Sequence, residues 1–262
     1  MDPSLRTAAT GMMAQQRRTE VIANNLANVN TTGFKRSHAH FEDLLYQTVQ
    51  GQQTTGAQEA NTSPAIQVGR GVRLAGVQRL HTQGPLEQTG RSLDLAIEGQ
   101  GMFQVQLPGG EIRYTRDGSF TISDQGTIVT QDGYTVLPGV KIPADASGVQ
   151  ISRTGIVTVT GADPSASQEL GRIELARFTN PTGLLATGDN LYAQTPASGE
   201  PSLGFPQDEG MGQLQQGALE ASNVEIVQEM VDMISSMRAY ELNSKAIKNS
   251  DEMMQTAASM VR

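Results

Sequence analysis

Two kinds of hydrophobic rhythm alternate along the chain. From Leu5 to Val29 small and apolar residues recur every seven positions, with Leu5, Met12, Thr19 and Leu26 in one series and Ala8, Gln15, Ile22 and Val29 in the other. That is the narrow stripe of a helix that pairs with another helix. Gly33 follows where a helix stop fits, so the pattern predicts a helix over residues 3–30. At the other end Ile226, Met233, Tyr240, Ile247, Met254 and Val261 keep an interval of seven without a miss, with Met230, Met237, Ser244, Asp251 and Ala258 in the companion position. Ser222 and Glu225 have the spacing of a capping box, which predicts a helix from Asn223 onward. The polar Ser244 and Asp251 leave this seam too thin to bury the helix unaided, so it needs partners along its length.

Between the two ends the period changes. Residues 50–72 are polar and Gly-rich without a helical period and read as a linker or an extended excursion. From about Arg73 to Thr195 short alternating runs such as LDLAIEG, MFQVQL, IVTVT and RIELARF are separated by Pro-Gly, Asp-Gly and Asn-Pro steps every eight to twelve residues, the pattern of an all-β domain. Residues 196–218 are again rich in Gly, Pro and Gln. The expected fold class is therefore α+β. Residues 1–36 and 219–262 form a discontinuous domain of paired, coiled-coil-like terminal helices; residues 37–72 and 196–218 form an extended connector; residues 73–195 form an inserted all-β outer domain.

Charge supports a meeting of the ends. Residues 1–36 carry five Lys/Arg against two acids, and residues 219–262 carry seven acids against four Lys/Arg, a complementary pair. A net charge of −8 without basic clusters argues against nucleic acid as a partner. The chain has no cysteine, which removes disulfides, thiolate nucleophiles and Cys-ligated metals. It has no run of 18 apolar residues, and Arg6, Gln15, Arg17 and Arg18 interrupt any apolar leader, so export without a cleaved signal peptide is the expectation.

Catalytic chemistry finds little support. His38 and His40 would share one side of a strand, but no third ligand stands nearby and no metal site is expected. HExxH, GxSxG and GxxxxGK are absent, and Gly69-Arg-Gly71 lacks the third glycine of a dinucleotide loop. Asp117-Gly118, Asp124 to Gly126 and Asp132-Gly133 are spaced as hairpin turns rather than as a calcium loop. A glycosidase pair of carboxylates is disfavoured by an aromatic content of only 4%. The reading is a protein with no catalytic residues, no cofactor and no small-molecule substrate.

Particular strings then carry a resemblance. ANNLANVNTTGFKR at 23–36 resembles the amino-terminal signature of the bacterial flagellar rod and hook proteins. DLAIEGQGMFQV at 94–105 and YTRDGSF at 114–120 are similar to that family's central motif, and EASNVE at 220–225 with MISSMRAYELNSK at 233–245 to its carboxy-terminal helix. FEDLLYQTV at 41–49 looks like the distal-rod type. Met102 stands where the family often has Phe, and Met237 where Gln is common.

The resemblance implies a structural subunit of the basal-body distal rod, exported by the flagellar type III apparatus and stacked with copies of itself into a rigid helical tube. That tube would transmit torque to the hook, enclose the export channel and span periplasm to outer membrane. The implied partners are proximal rod proteins, the hook protein or hook–rod junction, and the peptidoglycan-ring and lipopolysaccharide-ring proteins. The expected assembly interface comprises Leu5, Met12, Ile22, Asn24, Asn25, Leu26, Asn28, Gly33 and Phe34 with Ile226, Met230, Met233, Met237, Tyr240, Ile247 and Met254. A proximal-rod or hook subunit of the same family is the alternative within the class, and a periplasmic wall-lytic enzyme the alternative outside it.

Overall fold

A computed structural model describes residues 3–50, 66–143, 146, 148–161 and 167–260. The chain divides into two units, one made of Met1–Leu26, Ser37–Gln78 and Glu225–Arg262, the other of Ala27–Arg36 and Arg79–Val224.

The first unit is built on helix α1 (Pro3–Ala27) and helix α2 (Ile226–Met260). Both helices appear where the seven-residue rhythm placed them, with shifted ends. Helix α1 stops at Ala27, three residues short of the predicted limit. Helix α2 starts at Ile226 rather than Asn223. The capping box does not form: the Ser222 hydroxyl accepts the Val224 N–H at 3.3 Å inside the preceding turn, and the first helical bond runs from Glu229 N–H to the Glu225 carbonyl. At 1.5 Å per residue α2 is about 52 Å long.

Strands β1 (Ser37–Asp43), β2 (Tyr46–Gln50), β3 (Ile66–Gly69) and β4 (Val72–Arg79) follow α1. Strand β1 pairs with β4 and β2 with β3, so the ends of the predicted excursion over 50–72 are regular ribbon; its middle, 51–65, lies outside the described residues. Strand pairing between polar segments leaves no hydrophobic period to read in sequence. The turn into β4 touches α1: a Cβ on Gly71, where φ is +112°, would fall 2.1 Å from Thr10 Oγ1. Only glycine fits there. The His38 and His40 rings sit edge to face at 4.9 Å on the exposed side of β1.

The second unit is β-rich. Its nine-stranded sheet runs Leu185–Gly188, Leu191–Ala193, Ile112–Thr115, Met102–Gln106, Thr135–Val136, Ile128–Thr130, Phe120–Ile122, with Leu175–Arg177 joining Met102–Gln106 to Ser202–Gly204. A three-stranded meander over Gly148–Ile151, Ile156–Thr160 and Ser167–Arg172 packs into the same core. Strict alternation gives Val157 and Val159 to that core while Ile156, Thr158 and Thr160 stay half-buried. Phe103 and Phe120 meet edge to face at 5.0 Å, among Leu95, Ile97, Leu175 and Leu214. Gly126 and Gly133, at φ +79° and +87°, close turns onto the Ser123 and Thr130 carbonyls.

Residues 196–218 depart from the expected return arm. Gln213–Gln216 pairs with Leu95–Glu98 and Ala218–Glu220 with Leu86–Gln88, which places this stretch within the β unit. Residues 27–36 belong to that unit as well.

Candidate assembly surface

The two helices of the first unit run antiparallel. Asn25 meets Glu229, Thr19 meets Ser236 and Gly11 meets Asn243, the numbers falling on α1 as they rise on α2. A Cβ on Gly11 would come within 2.9 Å of the Asn243 amide, so the absence of a side chain there sets the approach.

This seam is polar. Ser236 Oγ donates to the Gln15 carbonyl at 3.0 Å and lies 2.9 Å from Thr19 Oγ1. Arg18 Nη2 donates to Asp232 Oδ1 at 3.0 Å. Asn25, one of the three signature asparagines, is buried at the head of the seam. Its amide donates to the Ser37 carbonyl and to Glu229 Oε2, and its Oδ1 accepts the Ser37 N–H. The buried residues of α2 are Glu229, Ser236 and Ser250; with Asn243 they repeat every seven positions. The interval of seven is real, but the residues of it that meet α1 are the polar Glu229, Ser236 and Asn243. The apolar series is not the one that faces α1.

The apolar residues of α2 are left open. Ile226, Val227, Met230, Val231, Ile234 and Met237 each keep between 47% and 72% of their surface accessible. Tyr240 and Met254 are exposed, whereas Met233 and Ile247 are half-buried. At 100° per residue, Ile226, Met230, Ile234 and Met237 share one side of the helix about a quarter to a third of a turn from the polar seam. On α1, Ile22 is buried, Leu5, Met12 and Leu26 are half-buried and Asn24 is exposed. Asn28, Gly33 and Phe34 fall in the β unit, where the Thr31 hydroxyl donates to Asn28 Oδ1 and Gly33 N–H, at φ +67°, donates to the Glu220 carbonyl at 2.7 Å. Val227, Val231 and Ile234 escaped the sequence reading because it followed only two heptad positions; their own spacing of four and three was the missed signal.

The β unit holds a second arrangement that sequence reasoning missed. Lys35 Nζ donates to Glu220 Oε1 and, at 2.7 Å, to the Thr82 carbonyl. Glu220 Oε1 also accepts the Gly84 N–H at 2.9 Å, and Arg116 Nε lies 2.8 Å from Glu220 Oε2. Lys35 and Arg116 keep only 1% and 5% of their surface. Burial outweighs the favourable carboxylate and holds both cations below their ordinary pKa. His81, beside them, is depressed to about 4, first by burial and then by Lys35, Arg79 and Arg116. Residues 35, 116 and 220 meet only in the fold, so no local motif announces them.

Nothing in either arrangement resembles a catalytic set. Among the described residues no group of three or more His, Cys, Asp or Glu is placed to hold a metal ion, and no helix is long and apolar enough to cross a membrane.

Comparison with known proteins identifies the family. The family described as flagella basal body rod protein matches residues 5–35, which include most of α1; the flagellar hook protein FlgE/F/G D1 domain matches 96–159, in the β unit; and the flagellar basal body rod FlgEFG protein C-terminal matches 215–260, which include all of α2 and the strand before it. The chain is 46% identical over 255 residues to the flagellar basal-body rod protein FlgG of Buchnera aphidicola subsp. Acyrthosiphon pisum, covering 97% of this chain and 98% of that one. It is 47% identical over 258 residues to the FlgG of Caulobacter vibrioides, covering 98% of each. The FlgF of the same bacterium is 41% identical over 263 residues, covering 98% of this chain and 97% of that one. A solved hook protein, FlgE2 of Helicobacter pylori, is 14% identical at a TM-score of 0.25, over 71% of this chain and 43% of that one, too little to carry an argument. None of these relatives bears an enzyme's name. With identity near one half sustained over almost the whole of both chains, the protein belongs to the flagellar basal-body rod family, of the FlgG type.

Proposed function

We propose that the chain is the building block of the distal rod, a structural subunit that stacks on copies of itself into a stiff helical tube. The observation that carries the reading is the open apolar side of α2 in a rod-family chain. A helix that turns Ser, Asn and Glu toward its own partner and Ile, Val and Met outward is arranged to be covered by something else. Head-to-tail contacts that do not close on themselves generate an open helical array, and copies of the same helix pair are the natural cover. Leu5, Met12, Ile22 and Leu26 on α1 with Ile226, Met230, Met233, Met237, Tyr240, Ile247 and Met254 on α2 are the proposed interface. Asn24, Asn25, Asn28, Gly33 and Phe34 complete it.

In this reading ordering of the helix ends is coupled to addition of the subunit. The tube carries torque to the hook and encloses the export channel. The β units face outward toward the peptidoglycan and lipopolysaccharide rings, and the 50–72 excursion braces neighbouring subunits. The chain reaches its place through the type III apparatus and rests on the proximal rod. A proximal-rod or hook subunit of the same family is the second reading; of the two Caulobacter vibrioides relatives, the FlgG is the nearer, which favours the first.

Electron cryomicroscopy of isolated basal bodies carrying an epitope-tagged copy tests this directly. Label repeated along the tube between proximal rod and hook is the expected result. Label confined below that segment, or absent from the tube, would overturn the assignment.

A further inference from the structure

The buried ion cluster of the β unit is out of balance. Lys35 and Arg116 are two cations, and Glu220 is the carboxylate they share. One positive charge is left over in a place where charge is expensive unless paired. A cavity of about 320 Å3 opens beside the cluster. Among the described residues its polar lining includes Lys35, His81, Arg116 and Arg177, and no aspartate or glutamate faces it.

The donors there are only partly occupied. Arg116 directs Nη1 to the Gly101 carbonyl at 2.6 Å and Nη2 to the Gly99 carbonyl at 2.9 Å, so it acts as a fixed charge. Lys35 has acceptors for two of its three ammonium hydrogens. Arg177, nearer solvent, makes one long bond to the Gly210 carbonyl at 3.3 Å. His81 Nδ1 is buried without a hydrogen-bond partner. Met102, Ala176 and Phe178 supply an apolar wall.

We propose that this cavity binds a carboxylate that carries an apolar group, the carboxylate lying against Lys35 and Arg177 and the apolar body against Met102 and Phe178. Charge-assisted bonds to a planar guanidinium suit a carboxylate geometrically, as the buried Glu220 already illustrates. The carboxylate comes either from a small solute or from an acidic side chain of a second copy. The site itself does not depend on the rod assignment; only the second source does.

The test uses the full-length protein at a dilution where it is monomeric, titrated with sodium benzoate and sodium acetate and followed by the His81 ring resonances. Saturable binding is expected, with benzoate tighter than acetate and both weakened by added chloride. The His81 titration should move to higher pH when benzoate is bound, because a nearby carboxylate favours the imidazolium. Arg177→Gln, at the rim, should keep the wild-type melting curve and bind benzoate about tenfold more weakly. No saturable change at His81, or equal affinity in Arg177→Gln, overturns the proposal. Assembled tubes separate the sources: tubes that still take up labelled benzoate support a solute site, while tubes that exclude it, although the monomer binds it, support occupation by a neighbour's carboxylate.

Discussion

Replacing Met230 and Met237 by aspartate strikes the open side of α2 while leaving its seam with α1 alone. Both side chains are about half exposed, at 51% and 50%, so the monomer loses little beyond helix propensity, about 0.5 kcal/mol per site. Assembly is another matter. Full burial of an aliphatic or methionine side chain is worth roughly 1.5–3 kcal/mol. The six residues from Ile226 to Met237 named above have about half of that still to gain, roughly 5–9 kcal/mol for each subunit added. The double variant forfeits about 2 kcal/mol of this and forces two carboxylates against an apolar neighbour, an added penalty of at least ~2 kcal/mol. A deficit of ~4 kcal/mol raises the concentration needed for assembly about a thousandfold. Pelleting of tubes across a concentration series reads this threshold, circular dichroism melting of the monomer controls for folding, and Met230→Leu/Met237→Leu should restore assembly. If the aspartate pair assembled at the wild-type threshold, the open side of α2 would not be the adhesive surface.

Four further outcomes are expected. Glu220→Gln leaves Lys35 and Arg116 buried without a countercharge and should lower the unfolding free energy of the β unit by about 3–5 kcal/mol in urea titration; a change within error would show the cluster to be dispensable. His81 stays neutral in the folded chain down to about pH 4, whereas the unfolded chain protonates it near 6.5. Stability is therefore fully present above pH 6.5 and falls by about 3 kcal/mol as the pH drops to 4, a slope that His81→Gln should flatten in melts across that range. Gly33→Ala should cost at least ~1–2 kcal/mol, because φ is +67° and the new Cβ would stand 2.8 Å from the Asp117 nitrogen; thermal melting measures it. Deleting residues 50–68 should yield a curved or more flexible polymer by electron microscopy, and an unchanged straight rod would argue against the brace.

The helices and the β-rich middle were legible because each has a period that only one kind of element satisfies. Seven-residue spacing with Gly33 beyond it reads as a helix, and the alternation around Val157 and Val159 reads as a strand. What stayed hidden depends on partners distant in sequence. Gln213–Gln216 is a strand because Leu95–Glu98 offers it a ladder, not because its own side chains alternate. Which face of α2 meets α1 was left open for a related reason. Its apolar and polar residues both repeat every seven positions, and nothing local says which repeat meets α1. The Ser222 and Glu225 spacing fits a capping box, yet the chain ahead of α2 is held by Asn223, whose amide donates to the Leu80 carbonyl and whose Oδ1 accepts the Arg36 N–H, and the helix waits until Ile226. Lys35 read as one basic residue among five in its segment; only the approach of residues 116 and 220 turns it into a buried cation.

The polar seam between α1 and α2 bears on how such a subunit travels. Two helices joined by serine, asparagine and glutamine contacts can exchange those bonds for water with small loss, so the pair unzips easily and re-forms without error-prone repacking. Amide hydrogens of both helices should therefore exchange quickly in solution and slowly inside a finished tube. Under the function proposed above, a pair held in this way gains its rigidity when copies pack around it.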